Sequence, residues 1–296
     1  MKFSLIIPTY NRQKELAVCF YSILQQDFLP TEIVVIDDAE LNGEFLDYWK
    51  KKFVSFSVSF VYYRKDMTKE VGGSSSSRNV GLGLAKEKIC FILDDDLVLE
   101  NYFFSKTMAM WKDDDKLLGV GGVITNNRRK GFLEKIYNKI FCLDTELSWD
   151  INKVGFQSWD DSIGDCQKAF YVHGGACSYN KEIIKKLGGF TVFGGGREAL
   201  EDVDFCWRAK QIGYYFLIEP KARVFHAHSP SGRESEEIAG YKESANRKAI
   251  WAKLGDKGVF ERVSFYWANI GWILRQILRG KFKKSWGMIR GLFYHQ

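Results

Sequence analysis

The chain has 296 residues, 46% hydrophobic and 27% charged, as expected of a globular protein with one large domain or two small ones. Its net charge of +6 is uneven: residues 247–296 hold 11 Lys/Arg against 2 Asp/Glu, a balance of +9, so the rest is net −3. Basic charge confined to one end, without a recognition motif, excludes a nucleic-acid binder, and six cysteines with no C-x-x-C spacing exclude a zinc or disulfide framework and suit a reducing, cytoplasmic setting with no secretory leader.

The predicted elements begin with a strand over 3–7, stopped by Pro8. A helix follows over 12–26, with Leu16, Phe20, Ile23 and Leu24 on one side and Asn11 as its cap. Residues 32–37 (EIVVID) read as a second buried strand, ending in Asp37 and Asp38. A helix over 41–53 and a strand over 57–63 come next. The run Gly72-Gly73-Ser-Ser-Ser-Ser77 reads as a polar turn leading into a helix over 78–86. Residues 89–93 (ICFIL) form the central strand. Alternating strands and helices of this kind predict a mostly parallel sheet with helices on both faces.

The central strand runs into Asp94, Asp95 and Asp96. Adjacent carboxylates repel one another unless a cation sits among them. A hard divalent cation such as Mg²⁺ or Mn²⁺ takes oxygen ligands and often bridges carboxylates to a phosphate. In an open α/β sheet, ligands bind beyond the carboxyl ends of the strands. Position and chemistry together suggest a metal–phosphate site, with a solvated acidic loop as the plain alternative.

Beyond this point a helix (102–111) and a strand (117–124) lead into an irregular stretch to about 167 that holds Trp149 and Trp159. Strands are predicted over 170–179, 214–218 and 222–225, the last ending at His226 and His228. Helices are predicted over 181–187 and 201–213, the second with an acidic first turn. From residue 238 the chain reads as helical, basic and aromatic. Its apolar run 263–278 contains Arg275 and is shorter than the about 20 residues of a membrane span. Ile270, Ile273, Leu274 and Ile277 share a face, and lysines follow, which is the composition of an interfacial helix on anionic lipid. A packed amphipathic helix is the alternative.

Seven segments in order carry a family likeness: SLIIPTYNR (4–12), VVIDD (34–38), GGSSSSRNVGL (72–82), FILDDD (91–96), HGGACSYNKEIIKKLGGF (173–190), EDVDFCWR (201–208) and ARVFHAHS (222–229). With these, residues 2–228 resemble a family 2 glycosyltransferase of the GT-A fold. The resemblance implies an α/β, Rossmann-like domain over 1–232, with a nucleotide-sugar half (1–96) and an acceptor half (97–232), plus a helical extension over 233–296. It implies that Pro8, Thr9 and Tyr10 line the donor pocket, that Asp38 accepts a hydrogen bond from the base of a UDP-sugar, and that Arg78 faces the diphosphate or base. Asp96 and His226 would hold Mg²⁺ or Mn²⁺, with His228 the rival ligand, and Asp94 or Asp95 would hold the ribose or metal waters. Asp202 would be the catalytic base, with Glu201 beside it and Trp159 and Phe193 as weaker acceptor-side candidates. One departure is Ala39-Glu40 where the family often has Gly-Ser, which would add a charge near the nucleotide.

The function implied is metal-dependent, inverting transfer from a nucleotide sugar to a glycan or lipid-linked saccharide, peripheral on the cytoplasmic face of an anionic membrane. The competing readings are a sugar-phosphate nucleotidyltransferase and a silent carbohydrate-binding subunit. The first lacks a Gly-rich, basic loop after strand one, and the second has no need of Asp94–Asp96, Asp202 and His226 together.

Overall fold

A computed structural model describes residues 1–194, 199–231, 234–253 and 258–293. The first half alternates: β1 (Phe3–Thr9), α1 (Gln13–Leu24), β2 (Glu32–Asp37), α2 (Gly43–Ser55), β3 (Ser59–Arg64), α3 (Ser74–Leu84), β4 (Ile89–Leu93). β2 and β4 are buried at every position, because packed side chains cover both faces of the sheet. Along β1, Phe3, Leu5 and Ile7 join one core cluster and Ile6 joins the other, as the two-residue strand period requires. The four strands pair in parallel in the order β3-β2-β1-β4. Their carboxyl ends, at Thr9, Asp37 and Leu93, therefore emerge on one side of the sheet.

The second half contributes β5 (Leu97–Leu99), α4 (Phe103–Ala109), β6 (Leu117–Ile124), α5 (Phe132–Ile140), the pair β7 (Asp150–Ile151) and β8 (Gln157–Ser158), β9 (Gln167–Ala169), β10 (Ala176–Asn180), α6 (Lys181–Lys186), α7 (Glu201–Gln211) and β11 (Tyr215–His226). β10 enters between β4 and β6, antiparallel to both. The sheet order becomes β3-β2-β1-β4-β10-β6-β11-β5, with β9 on β11.

Four local expectations change. The strand predicted over 170–179 starts at Ala176, after a turn in which the Ala176 amide donates to the His173 carbonyl. A side chain at Gly175 would collide with the Asp94 carboxylate, so glycine lets this turn pass close to the acid triplet. The two strands predicted over 214–225 are one strand with a bulge between Ile218 and Arg223, around Pro220, which has no N–H for a ladder. The serine run is the first turn of α3, since Asp38 accepts from the Gly73 amide (2.5 Å) and the Ser77 hydroxyl (2.6 Å). Asn11 does not cap α1; it takes the left-handed conformation (φ 53) and turns the chain out of β1.

The C-terminal region forms α8 (Glu236–Ala252), α9 (Val259–Leu278) and α10 (Phe282–Phe293). Phe265, Ala268 and Ile273 of α9 share a core cluster with Leu143 and Phe156 of the irregular stretch. The extension is thus docked on the body. The domain boundary expected between 232 and 233 lies outside the described residues. α8 and α10 approach closely through glycine: a side chain at Gly287 would overlap the Glu237 carbonyl, and one at Gly291 the Tyr241 carbonyl.

Gly287→Val should therefore destabilise the protein by about 1–3 kcal/mol, the usual cost of overpacking. Gly43→Ala, where an added side chain meets nothing within 4 Å, serves as the control. Urea unfolding midpoints measure both, and equal midpoints would refute the close helix contact.

Candidate active site

The three consecutive aspartates after β4 turn in three directions. Asp94 accepts from Arg78 Nη2 at 3.2 Å. Asp95 accepts from Thr9 Oγ1 at 2.7 Å and from Arg12 Nη1 at 2.9 Å. Asp96 presents Oδ1 to His226 Nε2 at 3.1 Å and accepts from the Ser229 amide on Oδ2 at 3.0 Å. Arg12 also stands 3.6 Å from Asp96, so its guanidinium is a cation held among the acids. Burial pushes the Asp95 carboxyl up to about 6, against Arg12 and Thr9. Burial opposes ionisation of Asp96 too, but His226, the Ser229 amide and Arg12 outweigh it and bring that carboxyl down to about 2.

Pro8, Thr9, Tyr10, Asp38, Asp94 and Asp95 line one cleft of about 890 Å³. Its opposite wall comes from the C-terminal region, including Lys242, Lys281 and Lys284. These lysines face carboxylates in this state: Lys242 pairs with Glu234 at 2.7 Å and Lys284 with Glu243 at 2.8 Å. The basic tail, expected to serve a membrane, thus also walls the cleft. Asp38 is 9% exposed and is bound to Lys65 (3.2 Å) as well as to the start of α3. Asp37 is spent on the turn after β2, accepting from the Ala39 and Leu41 amides and from Tyr62. Glu40 pairs with Arg64 on the surface at 2.7 Å, so it adds no charge to the cleft lining.

Arg78 is buried, and one guanidinium bridges Asp94 to Glu201 (2.9 Å). Burial opposes its charge, but Glu201 and Asp94 hold it above the ordinary arginine value. Ser74 also donates to Glu201, at 3.1 Å. Next to it, Asp202 in the first turn of α7 accepts from Tyr171 Oη at 2.9 Å. Phe193 is 7% exposed and Trp149 fully buried, so both belong to the core. Trp159 is half-buried, packs on Tyr171 and His173, and lines a second groove of about 910 Å³. His228 packs against His226 with ring centres 4.0 Å apart, while His226 is the ring that faces Asp96.

Sequence reasoning gave no role to Arg12 or Tyr171, and gave the C-terminal lysines to a lipid surface rather than to the cleft. Arg12 lay inside the segment SLIIPTYNR, where an arginine just past a strand end was a usable signal. The other contacts depend on chain folding over long separations. As for a metal, Asp96 Oδ1 is buried and meets only His226 Nε2, at 3.1 Å, among the described residues, and a buried carboxylate oxygen beside an imidazole nitrogen suits a divalent cation. Among the described residues no group of three or more His, Cys, Asp or Glu gathers to hold one. A cation here would need further oxygens from its ligand, as Mg²⁺ sites on phosphates commonly do.

The profile of glycosyl transferase family 2 matches residues 4–188, more than half of the chain. The chain belongs to that family. It is 27% identical over 266 residues to the chondroitin synthase of Escherichia coli, an alignment covering 79% of this chain and 35% of that protein. The chain spans between 27% and 55% of the length of the first curated relatives it matches. Among solved structures it is similar to a mannosyltransferase of Pyrobaculum calidifontis in complex with GDP-Man and Mn²⁺, with TM-score 0.62, 15% identity, and coverage of 99% of this chain and 87% of that one. It is also similar to S. aureus TarS 1–349 in complex with UDP-GlcNAc, with TM-score 0.55, 16% identity, and coverage of 98% and 90%. The fold is GT-A, a mixed sheet with flanking helices, and the C-terminal helices pack against the irregular stretch beside it.

Arg78→Met should cost this family member about 3–5 kcal/mol, because it leaves two carboxylates near a buried site without their cation. Arg78→Lys should cost less. Urea unfolding decides: a loss under about 1 kcal/mol would place the bridge with ordinary surface pairs.

Proposed function

We propose that the chain transfers a sugar from a nucleotide-sugar donor, UDP-linked, to a hydroxyl of a glycan or lipid-linked saccharide in cell-surface polysaccharide or glycolipid synthesis. The observation that carries this reading is the Arg78 bridge. It ties Asp94, on the cleft lined by Pro8, Thr9, Tyr10 and Asp38, to Glu201, the neighbour of Asp202. Donor contacts and a candidate base are thereby held in one rigid unit. Family membership supports the same reaction class.

In this reading, residues 1–232 are the catalytic unit, with 1–96 on the donor side and 97–232 on the acceptor side. Residues 233–296 close the donor cleft and bring cations toward the diphosphate. Asp38 keeps one of its lone pairs for the base beyond those used by Gly73, Ser77 and Lys65. Asp96 and His226 would hold Mg²⁺ or Mn²⁺, and Asp95 or Asp94 would hold the ribose or metal waters. The metal, when bound, neutralises charge that builds on the leaving diphosphate. Lys242 and Lys284 lie on the opposite wall, each paired with a glutamate, and Arg12 is a cation already seated among the acids.

Asp202 takes the proton from the acceptor hydroxyl as that oxygen attacks the anomeric carbon. Tyr171 and the Val203 amide fix its two oxygens, at 2.9 and 2.8 Å. One displacement inverts the anomeric configuration. Glu201, held by Arg78 and Ser74, is committed to the bridge rather than to a covalent step, which favours inversion. Among the described residues no helix is long and apolar enough to cross a membrane. We read the protein as peripheral, on the cytoplasmic face, with the C-terminal region against anionic lipid.

Asp202→Asn tests the mechanism. The amide keeps the shape and can still accept from the Val203 amide, but cannot accept a proton, so kcat should fall about 10²–10⁴-fold. Nucleotide-sugar affinity and the thermal midpoint should stay near wild type. A kcat within a few-fold of wild type removes Asp202 from the reaction. Chelation should stop transfer and added Mn²⁺ or Mg²⁺ should restore it; full activity in excess chelator excludes a metal at Asp96 and His226.

A further inference from the structure

The second groove, of about 910 Å³, has an uneven charge. Inside it Glu134 alone meets three guanidinium groups: Arg128, Arg275 at 3.7 Å and Arg279 at 3.2 Å. One carboxylate balances one of them. Arg129, Lys135 and Lys139 line the same groove with no ion pair within 4.0 Å among the described residues, Arg129 and Lys135 sharing Asp160 at longer range. Arg247 also lines it, buried and stacked on Phe156 at 3.9 Å. Among the described residues its Nε has no hydrogen-bond partner, and neither has the buried Ser148 hydroxyl on the same lining. Buried polar groups are nearly always paired. Two orphaned donors inside a cationic groove call for a ligand rich in acceptor oxygens, and a phosphate fits that chemistry.

The helices that border the groove also turn an apolar face outward. On α5, Phe132 and Leu133 are 77% and 79% exposed, with Ile136 and Ile140 beyond them. On α9, Phe260, Val263, Trp267, Ile270 and Leu274 are exposed at three- and four-residue steps. The two helices are fastened together, so this is one surface. Tyr137 Oη donates to the Gly271 carbonyl and Trp267 Nε1 to the Ile140 carbonyl, both at 2.7 Å. Exposed apolar patches of this kind are interaction sites. The tail alone was expected to meet lipid; α5 extends that surface and adds Lys135 and Lys139 at the rim of the groove.

We propose that the groove is an acceptor phosphate site. It takes the phosphate or diphosphate of a lipid-linked saccharide whose lipid lies against the apolar face of α5 and α9. The saccharide then passes Trp159, whose ring is 6.0 Å from that of Tyr171, the residue that donates to Asp202. A soluble anionic polymer would use the cations but not the apolar face. A plain lipid surface would use the face but not the orphaned donors inside the groove. The direction of the saccharide rests on the glycosyltransferase reading; the phosphate site does not.

Flotation of the full chain with phosphatidylcholine vesicles tests this. One set carries a polyprenyl diphosphate, and the other carries phosphatidylglycerol at equal charge. Wild type should bind the first set at least tenfold more tightly. The triple variant Arg129→Ala, Lys135→Ala, Arg279→Ala should lose that preference. Phe132→Ser with Ile136→Ser should weaken binding to both sets. Equal wild-type binding to both sets overturns the phosphate site, as does a preference that survives the triple variant. Tight binding of soluble polyphosphate without vesicle binding assigns the groove to a polymer and overturns the lipid. Donor hydrolysis is followed on the same samples. Intact hydrolysis with no diphosphate preference refutes the groove alone, whereas absent hydrolysis with the preference intact refutes the glycosyltransferase reading alone.

Discussion

The Arg78 bridge is the constraint on which the site depends. Three segments distant in sequence meet at one buried guanidinium: α3 supplies it, the end of β4 supplies Asp94, and the start of α7 supplies Glu201. Each carboxylate alone would be costly beside apolar neighbours, and the guanidinium would be costlier still. Together they form a set that breaks if any member leaves. Phe190 beneath the guanidinium and Gly174 beside it complete the seat, since a side chain at Gly174 would press on both Arg78 and Asp202. The position of α7, and so of Asp202, follows from the same seat. Asp38 does the corresponding work at the other end of α3 by holding the Gly73 amide and the Ser77 hydroxyl.

Much of this was legible in the chain. Continuous apolar runs ending in acids marked β2 and β4, because a strand covered on both faces has no polar alternation to confuse it. The acid triplet, the Glu201–Asp202 pair and His226 were visible as residue types at strand and helix ends. The antiparallel β10 was not legible, since ACSYN carries no sign of its direction. The helix start at Ser74 was hidden because its cap, Asp38, lies 35 residues away from Gly73. The directions of the three aspartates were equally hidden: each is set by a partner on a different element. Of the two aromatic acceptor-side candidates, Phe193 is buried in the core while Trp159 lines the second groove.

The C-terminal region shows a second limit. Its composition spoke of lipid, and the exposed side of α9 agrees with that reading. Composition averages over faces, however, and a helix has more than one. Lys281 and Lys284 look into the donor cleft, while Phe265 and Ala268 pack on the body. Glycine at 240, 287 and 291 brings α10 against α8 closely enough for this. The region proposed to meet a bilayer is thus also a wall of the cleft.

That arrangement bears on how relatives are to be compared. The family match ends at residue 188, yet Asp202, His226 and the whole wall from Glu234 to Lys284 lie after it. The matched segment holds β1 through β10 and the acid triplet. The later third encodes what encloses them. A hybrid that exchanged only residues 4–188 between two members would keep the host's enclosure around an imported platform. Only the contacts made by α7 through α10 would remain the host's, and transplanting those requires carrying the four helices along with the segment they enclose.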